Sequence, residues 1–287
     1  MALLAGFALL AGAGVGCSKK EDASAAGKRR IVVLGGPLTE IIFALGFGDE
    51  VVGVDASSVY PDQATQLDQV GYFRHFSAEG VIGLGPTLVV HSDGAGPKEA
   101  LAQIQAAGIE TFEVADPEDF EGARARVEIM ARALGAERQA AEILARFDAD
   151  MAAAEALREQ TQSRPRVLFL YARGADTLLV GGRDTVSAVM ITAAGGRNAV
   201  DAFADFRPLS AESVVAAAPE VLLVPERGLV SVGGIEGLRG QPGLAETPAL
   251  KQGRVLALDD LALLGLGPRT GETLMTLIRG LHPELEA

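Results

Sequence analysis

Short unbroken apolar runs alternate with longer stretches of helical spacing along most of this chain. Ile31-Val32-Val33-Leu34, Val51-Val52-Gly53-Val54 and Leu88-Val89-Val90 are apolar without alternation, the pattern of strands covered on both faces. Thr111-Phe112-Glu113-Val114 adds a fourth strand. Helical spacing runs from Pro37 to Leu45 and from Lys98 to Ala107, and each stretch stops at a glycine, Gly46 or Gly108, as helix C-termini do. Strands and helices joined by short connections predict a parallel α/β sheet. From Pro117 to Gln162 the strand signal gives way to Ala, Glu, Arg and Leu, which favour helix. Gly135 divides this stretch into helices over Asp119–Leu134 and Ala136–Thr161; Ile143, Leu144, Phe147 and Met151 give the second an apolar face. The α/β pattern then returns: strands at Val167–Tyr171, Val221–Val224 and Val255–Leu258, a helix over Asp184–Ala194 before Gly195-Gly196, and a closing helix over Glu272–Leu281. The expected organisation is two α/β lobes with parallel sheets flanked by helices, 30–135 and 163–287, joined by one backbone helix over 136–162. A helix of ~25 residues would be roughly 37 Å long, enough to run from lobe to lobe.

A duplicated passage supports two lobes of one design. Phe73-Arg74-His75-Phe76-Ser77-Ala78-Glu79-Gly80-Val81 leads to Pro86 and an apolar strand; Phe206-Arg207-Pro208-Leu209-Ser210-Ala211-Glu212-Ser213-Val214 leads to Pro219 and another. Half of the 14 positions from Phe73 to Pro86 are identical at a constant offset of 133 residues, far beyond the roughly 20–50 residues of a solenoid repeat. Two like lobes leave a crevice between them, a preferred place for a ligand.

With 287 residues, 48% of them hydrophobic, the chain can bury one or two cores. Its net charge of −13 argues against nucleic acid, which calls for Lys/Arg stripes. Ala2–Gly16 is apolar, too short to span a bilayer, and has the texture of a secretory signal. Gly14-Val15-Gly16-Cys17 resembles a bacterial lipobox, so residues 1–17 read as a signal ending at a lipid-bearing Cys17, and 18–29 as a flexible tether. Cys17 is the only cysteine, which excludes a disulfide within one chain.

Of three tyrosines, two share one local pattern: Tyr72-Phe73-Arg74 and Tyr171-Ala172-Arg173. In an extended segment, an arginine two residues on points to the tyrosine's side. Its charge would favour the phenolate, scarce near neutral pH because a free phenol has a pKa near 10. Phenolate is a hard donor suited to ferric iron. Equally, Tyr72 reads as a rim aromatic and Tyr171 as the end of a buried strand. Among the histidines, His75 is an odd number of residues from Tyr72 and so faces the other way in an extended segment. His91 ends the Leu88–Val90 strand where parallel sheets place ligands, and reads as site-lining or as a hydrogen-bonded strand end. His282, in the last helical turn, reads as surface. No His/Asp/Glu spacing suits a bare zinc or manganese ion.

Two lobes on one helix in an exported chain resemble the substrate-binding proteins of metal-chelate ABC importers. Val70-Gly71-Tyr72-Phe73-Arg74-His75-Phe76-Ser77-Ala78-Glu79-Gly80-Val81 and the Ala95-Gly96-Pro97 turn resemble the first-lobe pattern of the haem branch. Leu170-Tyr171-Ala172-Arg173-Gly174, Ala193-Ala194-Gly195-Gly196 and Phe206-Arg207-Pro208-Leu209-Ser210-Ala211-Glu212 resemble its second-lobe pattern. The resemblance implies haem as transported ligand, with iron held by Tyr72 with Arg74 or by Tyr171 with Arg173. It also implies that Glu79 and Glu212 dock on arginines of a dimeric ABC permease. The bland alternative for both glutamates is stabilisation of a helix start. The expected molecule is a monomer that touches the membrane only through its N-terminal lipid. A ferric-siderophore or corrinoid binder is the runner-up, although 5% aromatic content without tryptophan suits an open siderophore site poorly. A haem-handling enzyme is the third reading; no nucleophile–base pair, P-loop or dinucleotide motif sits on a strand–helix junction. A Cys17→Ser variant should partition into the soluble fraction while the parent stays with membranes; identical partitioning would remove the lipid anchor.

Overall fold

The computed structural model describes residues 29–174 and 177–286. Cys17, the signal-like segment and nearly all of the tether lie outside the described residues. β1 (Ile31–Leu34), α1 (Gly36–Ala44) and β2 (Val51–Val54) open the first lobe. A small hairpin follows, β3 (Gly71–Tyr72) and β4 (His75–Phe76), then α2 (Ala78–Gly83), β5 (Leu88–Ser92), α3 (Lys98–Ala106), β6 (Glu110–Val114) and α4 (Phe120–Leu134). The order β2-β1-β5-β6 is parallel throughout. β1 explains its own unbroken apolar run: Ile31 and Val33 pack into the core under α1 and α4, Val32 and Leu34 into the core under α2 and α3.

α5 (Glu137–Arg158) has 22 residues, about 33 Å of helix. It stops short of the expected Thr161, whose hydroxyl donates to the Arg158 carbonyl and turns the chain out. Nor does α5 link the lobes unaided. Ala140 and Leu144 on α5, with Val127, Met130 and Leu134 on α4, belong to the first core. Phe147 and Ala154 on α5, with Ala123 on α4, belong to the second. The connection is a helix pair shared by both cores.

The second lobe begins with β7 (Arg166–Ala172), β8 (Leu178–Gly181), α6 (Val186–Ala193), β9 (Arg197–Asn198) and β10 (Phe206–Pro208). It continues through α7 (Ala211–Ala217), β11 (Val221–Pro225), α8 (Glu226–Ser231), α9 (Gly234–Arg239), α10 (Pro248–Lys251), β12 (Val255–Leu258), α11 (Asp260–Leu264) and α12 (Thr270–Leu281). β9, β7, β11 and β12 are parallel, as the apolar runs predict. The sheet also carries an antiparallel extension, β7-β8-β10, without counterpart in the first lobe. The closing helix corrects one expectation: His282 is 0% exposed, not on the surface. Its Nε2 is 2.9 Å from the Ala194 carbonyl and its Nδ1 is 3.1 Å from Ser163 Oγ, so the ring seals the end of α6 against α12.

Beside the helix pair, residues 265–269 of the second lobe are gripped by two charged side chains of the first. Arg126 on α4, 2% exposed, donates to the carbonyls of Gly265 and Leu266 at 2.5 and 2.9 Å. Glu40 on α1, 4% exposed, takes two hydrogen bonds from Arg269, at 3.1 and 2.9 Å. The Arg269 guanidinium also stacks over the Tyr60 ring at 3.8 Å. Burial pulls the Arg126 pKa down to about 10 against the opposing charges of Asp116 and Glu40, which leaves it cationic near neutrality. Burial alone would lower Arg269 as well, but its hydrogen bonds to Glu40 and the Glu40 and Asp259 charges hold it above the ordinary arginine value. Removing one member of a buried pair strands the other, at about 3–5 kcal/mol. Arg269→Met should therefore lower unfolding stability in urea by about 3 kcal/mol, and adding Glu40→Leu should recover part of the loss. A denaturation midpoint equal to the parent's in Arg269→Met would contradict the clamp.

Candidate ligand-binding site

Tyr72 stands on a hairpin whose position is set by one buried carboxylate. Asp55, fully buried after β2, accepts from the backbone N–H of Gly35 (3.0 Å), Ser57 (2.9 Å) and Phe73 (3.1 Å) and from the Ser58 hydroxyl (2.9 Å). It ties the start of α1 to the turn that follows Tyr72. Gly71 has φ of 108°, and a side chain there would meet the His75 carbonyl at 3.2 Å, so the entry to the hairpin requires glycine. On the other side Gly96 N–H donates to the Phe73 carbonyl at 2.9 Å. The β1/β5 order reverses the direction of strand addition, and the hairpin sits in that sheet's carboxyl-end region, where open α/β sheets bind ligands.

Tyr171 is the second-to-last residue of β7, half-buried against the second core. Beyond it, Arg173 N–H donates to the Thr177 carbonyl at 2.9 Å, and Gly174 N–H to Ser231 Oγ at 2.9 Å. The Arg173 guanidinium is 5.1 Å from the Tyr72 ring centroid and 5.4 Å from that of Tyr171, within cation–π range of both. Phenols from the two lobes thus flank one arginine. Partial burial acts to lower the Arg173 pKa, but the two neighbouring phenols outweigh it and raise the pKa above the usual arginine value.

Two expectations about the first lobe change. Tyr72-Phe73-Arg74-His75 is not extended but a two-residue hairpin, with Tyr72 paired directly to His75. Arg74 therefore falls at the turn, its guanidinium 5.1 Å from the Phe73 ring, and makes no hydrogen bond or ion pair with another side chain among the described residues. The guanidinium over the Tyr72 ring belongs instead to Arg173 of the other lobe. The same turn moves exposed His75 onto the face of Tyr72, because opposed cross-strand residues share a side. His91 is only 3% exposed, with Nδ1 2.9 Å from the Ser92 carbonyl, the strand-end alternative. Phe73 stands edge-on to Tyr72 at 4.7 Å; Phe206 lies 6.2 Å from Tyr171. Sequence reasoning did not place either ring at the site, although the duplicated passage aligns them.

Glu79 and Glu212 are exposed second residues of α2 and α7. Ser77 and Ser210 cap these helices, accepting from Gly80 N–H at 3.4 Å and Ser213 N–H at 3.2 Å. A glutamate reaching back to its cap would stand one residue later, so neither acid is used in a capping box. Elsewhere, a cavity of about 800 Å³ lies over the clamp, lined by Glu40, Tyr60, Arg146, Arg269 and Glu272. Four of its charged groups pair with one another, Arg146 with Glu272 and Arg269 with Glu40.

The chain superimposes on the periplasmic heme-binding protein RhuT from Roseiflexus sp. RS-1, solved in apo form, with TM-score 0.87 and 48% identity over 90% of this chain and 100% of that one. Periplasmic heme-binding protein BhuT, solved in complex with two hemes, gives TM-score 0.84 and 41% identity with 90% and 100% covered. The vitamin B12-binding protein of Yersinia pestis (strain Pestoides F) is 28% identical over 200 residues, 68% of this chain and 69% of that protein. The family model described as "Periplasmic binding protein" matches residues 31–262, most of both lobes, and the chain belongs to that family.

Proposed function

We propose that this extracytoplasmic protein binds haem in the crevice between its lobes and delivers it to an ABC importer. The observation that carries the reading is the meeting of Tyr72 and Tyr171, one from each lobe, on Arg173. Tyrosine is an established axial ligand of haem iron, and a neighbouring guanidinium favours the phenolate that ligation needs. Relatives at 48% and 41% identity are heme-binding proteins, and one was solved with two hemes. A tyrosine on each wall suits iron approaching from either lobe. The corrinoid alternative has the 28% identical vitamin B12-binding relative in its favour. The paired phenols weigh against it, because a corrin arrives with its cobalt already ligated by its own nucleotide or cyanide.

Glu79 and Glu212 serve as docking acids for the permease dimer, one per lobe. Both occupy the same place in the duplicated passage, both are exposed, and neither is used to cap its helix.

Hemin titration should give a Soret band of ferric tyrosinate character. Tyr72→Phe should weaken binding at least about tenfold, or 1.4 kcal/mol. A large loss in Tyr171→Phe with none in Tyr72→Phe would reverse the lobe assignment. Arg173→Ala should weaken hemin binding severalfold, because the Tyr72 and Tyr171 rings both lose the guanidinium that lies between them. Parent-like hemin affinity in Arg173→Ala would refute that support.

Glu79→Ala with Glu212→Ala should leave hemin affinity unchanged and abolish stimulation of the transporter ATPase in reconstituted membranes. Truncating one partner of a buried interfacial pair costs about 2–5 kcal/mol, whereas exposed pairs are worth ~0.2–1 kcal/mol. Full stimulation by the double variant would return both acids to the role of helix-start stabilisers.

A further inference from the structure

We propose that Phe206 is the apolar wall on which the porphyrin ring packs against the second lobe, and so selects a flat macrocycle over a polar ferric chelate. The inference rests on the haem reading and deepens it. Phe206 is 41% exposed although it lies in a strand, which leaves a large apolar surface in water at the edge of the sheet. Sheet register puts that surface beside the iron-ligand candidate. Tyr171 pairs with Leu179, Leu179 with Pro208, and Phe206 with Gly181, so Tyr171, Leu179, Phe206 and Pro208 share one face. Arg207, between them in sequence, points to the opposite face and lies 4.7 Å over Phe203.

The ring is held in place as well as exposed. Phe206 packs at an angle against buried Phe169 at 6.1 Å and against Tyr171 at 6.2 Å. Gly181, its cross-strand partner, lies directly beneath the ring edge: a Cβ there would stand 3.4 Å from Phe206, in van der Waals contact, and is excluded by Ser187 Oγ at 2.6 Å. The duplicated passage supplies the comparison. Phe73, at the aligned position, is partly buried against the first core and stands edge-on to Tyr72. Each lobe therefore pairs its tyrosine with the same phenylalanine of the repeat, but Phe73 is partly buried in its core while Phe206 is exposed. Aromatic and apolar surface of this kind is what orients a planar, largely hydrophobic ligand, while polar groups fix its register.

Iron-free protoporphyrin IX separates packing from ligation. Phe206→Ala and Phe206→Gln should each bind protoporphyrin IX and hemin about tenfold more weakly than the parent, with an unshifted Soret maximum for bound hemin and a parent-like thermal midpoint. Phe206→Trp should restore affinity. Tyr72→Phe with Tyr171→Phe should keep protoporphyrin IX binding while losing hemin. Parent-like affinity of both Phe206 variants for both ligands would overturn the inference and leave the haem reading intact. A Soret maximum that shifts as in the tyrosine variants would overturn it too, by assigning Phe206 to iron ligation. A parent protein that leaves the free-hemin spectrum unchanged would remove the haem reading and this inference together.

Discussion

The Glu40 carboxylate, buried between Arg269 and the charge of Arg126, fixes how one lobe sits on the other. Shared helices alone would leave the lobes free to rock about α4 and α5. Two backbone carbonyls held by Arg126 and a two-point ion pair at Arg269 pin residues 265–269 to the first lobe instead. Such a clamp has two discrete outcomes, paired or stranded, because neither Glu40 nor Arg126 has water to fall back on. It follows that the crevice is largely preformed, and that tyrosines on separate lobes can be held to one arginine without a closing motion.

A second buried carboxylate repeats the logic locally. Asp55 gathers four donors from three segments and sets the hairpin that carries Tyr72. Tyr171 needs no such device, since a central strand of its own sheet carries it. The two walls therefore reach the same chemistry by different routes: a loop pinned by an acid on one side, a strand end on the other. Arg173 joins them, its guanidinium within cation–π range of both rings.

How much of this was legible in the sequence depended on the range of the interaction. Unbroken runs such as Ile31–Leu34 disclosed central parallel strands because burial on both faces removes all polar alternation. β8 and β10 escaped notice because an edge pair of four and three residues, one ending in glycine, has too little pattern to register. Tyr72 and Tyr171 were legible as a repeated Tyr-x-Arg, but the partner of Tyr72 was not. A two-residue turn at Phe73-Arg74 reverses side-chain parity, which sent Arg74 away and brought His75 alongside. Asp55 and the Glu40–Arg269 pair join residues far apart in the chain, and single-sequence spacing carries no trace of them. His282 was misplaced for the same reason, because its partner Ala194 belongs to a different helix end.

Resonance Raman and EPR spectra of the hemin complex of the parent protein test the central claim most directly. Tyrosinate ligation gives a high-spin ferric signal with phenolate vibrations, lost when both Tyr72 and Tyr171 are replaced by Phe. A low-spin bis-histidine spectrum, or one indistinguishable from free hemin, would contradict it.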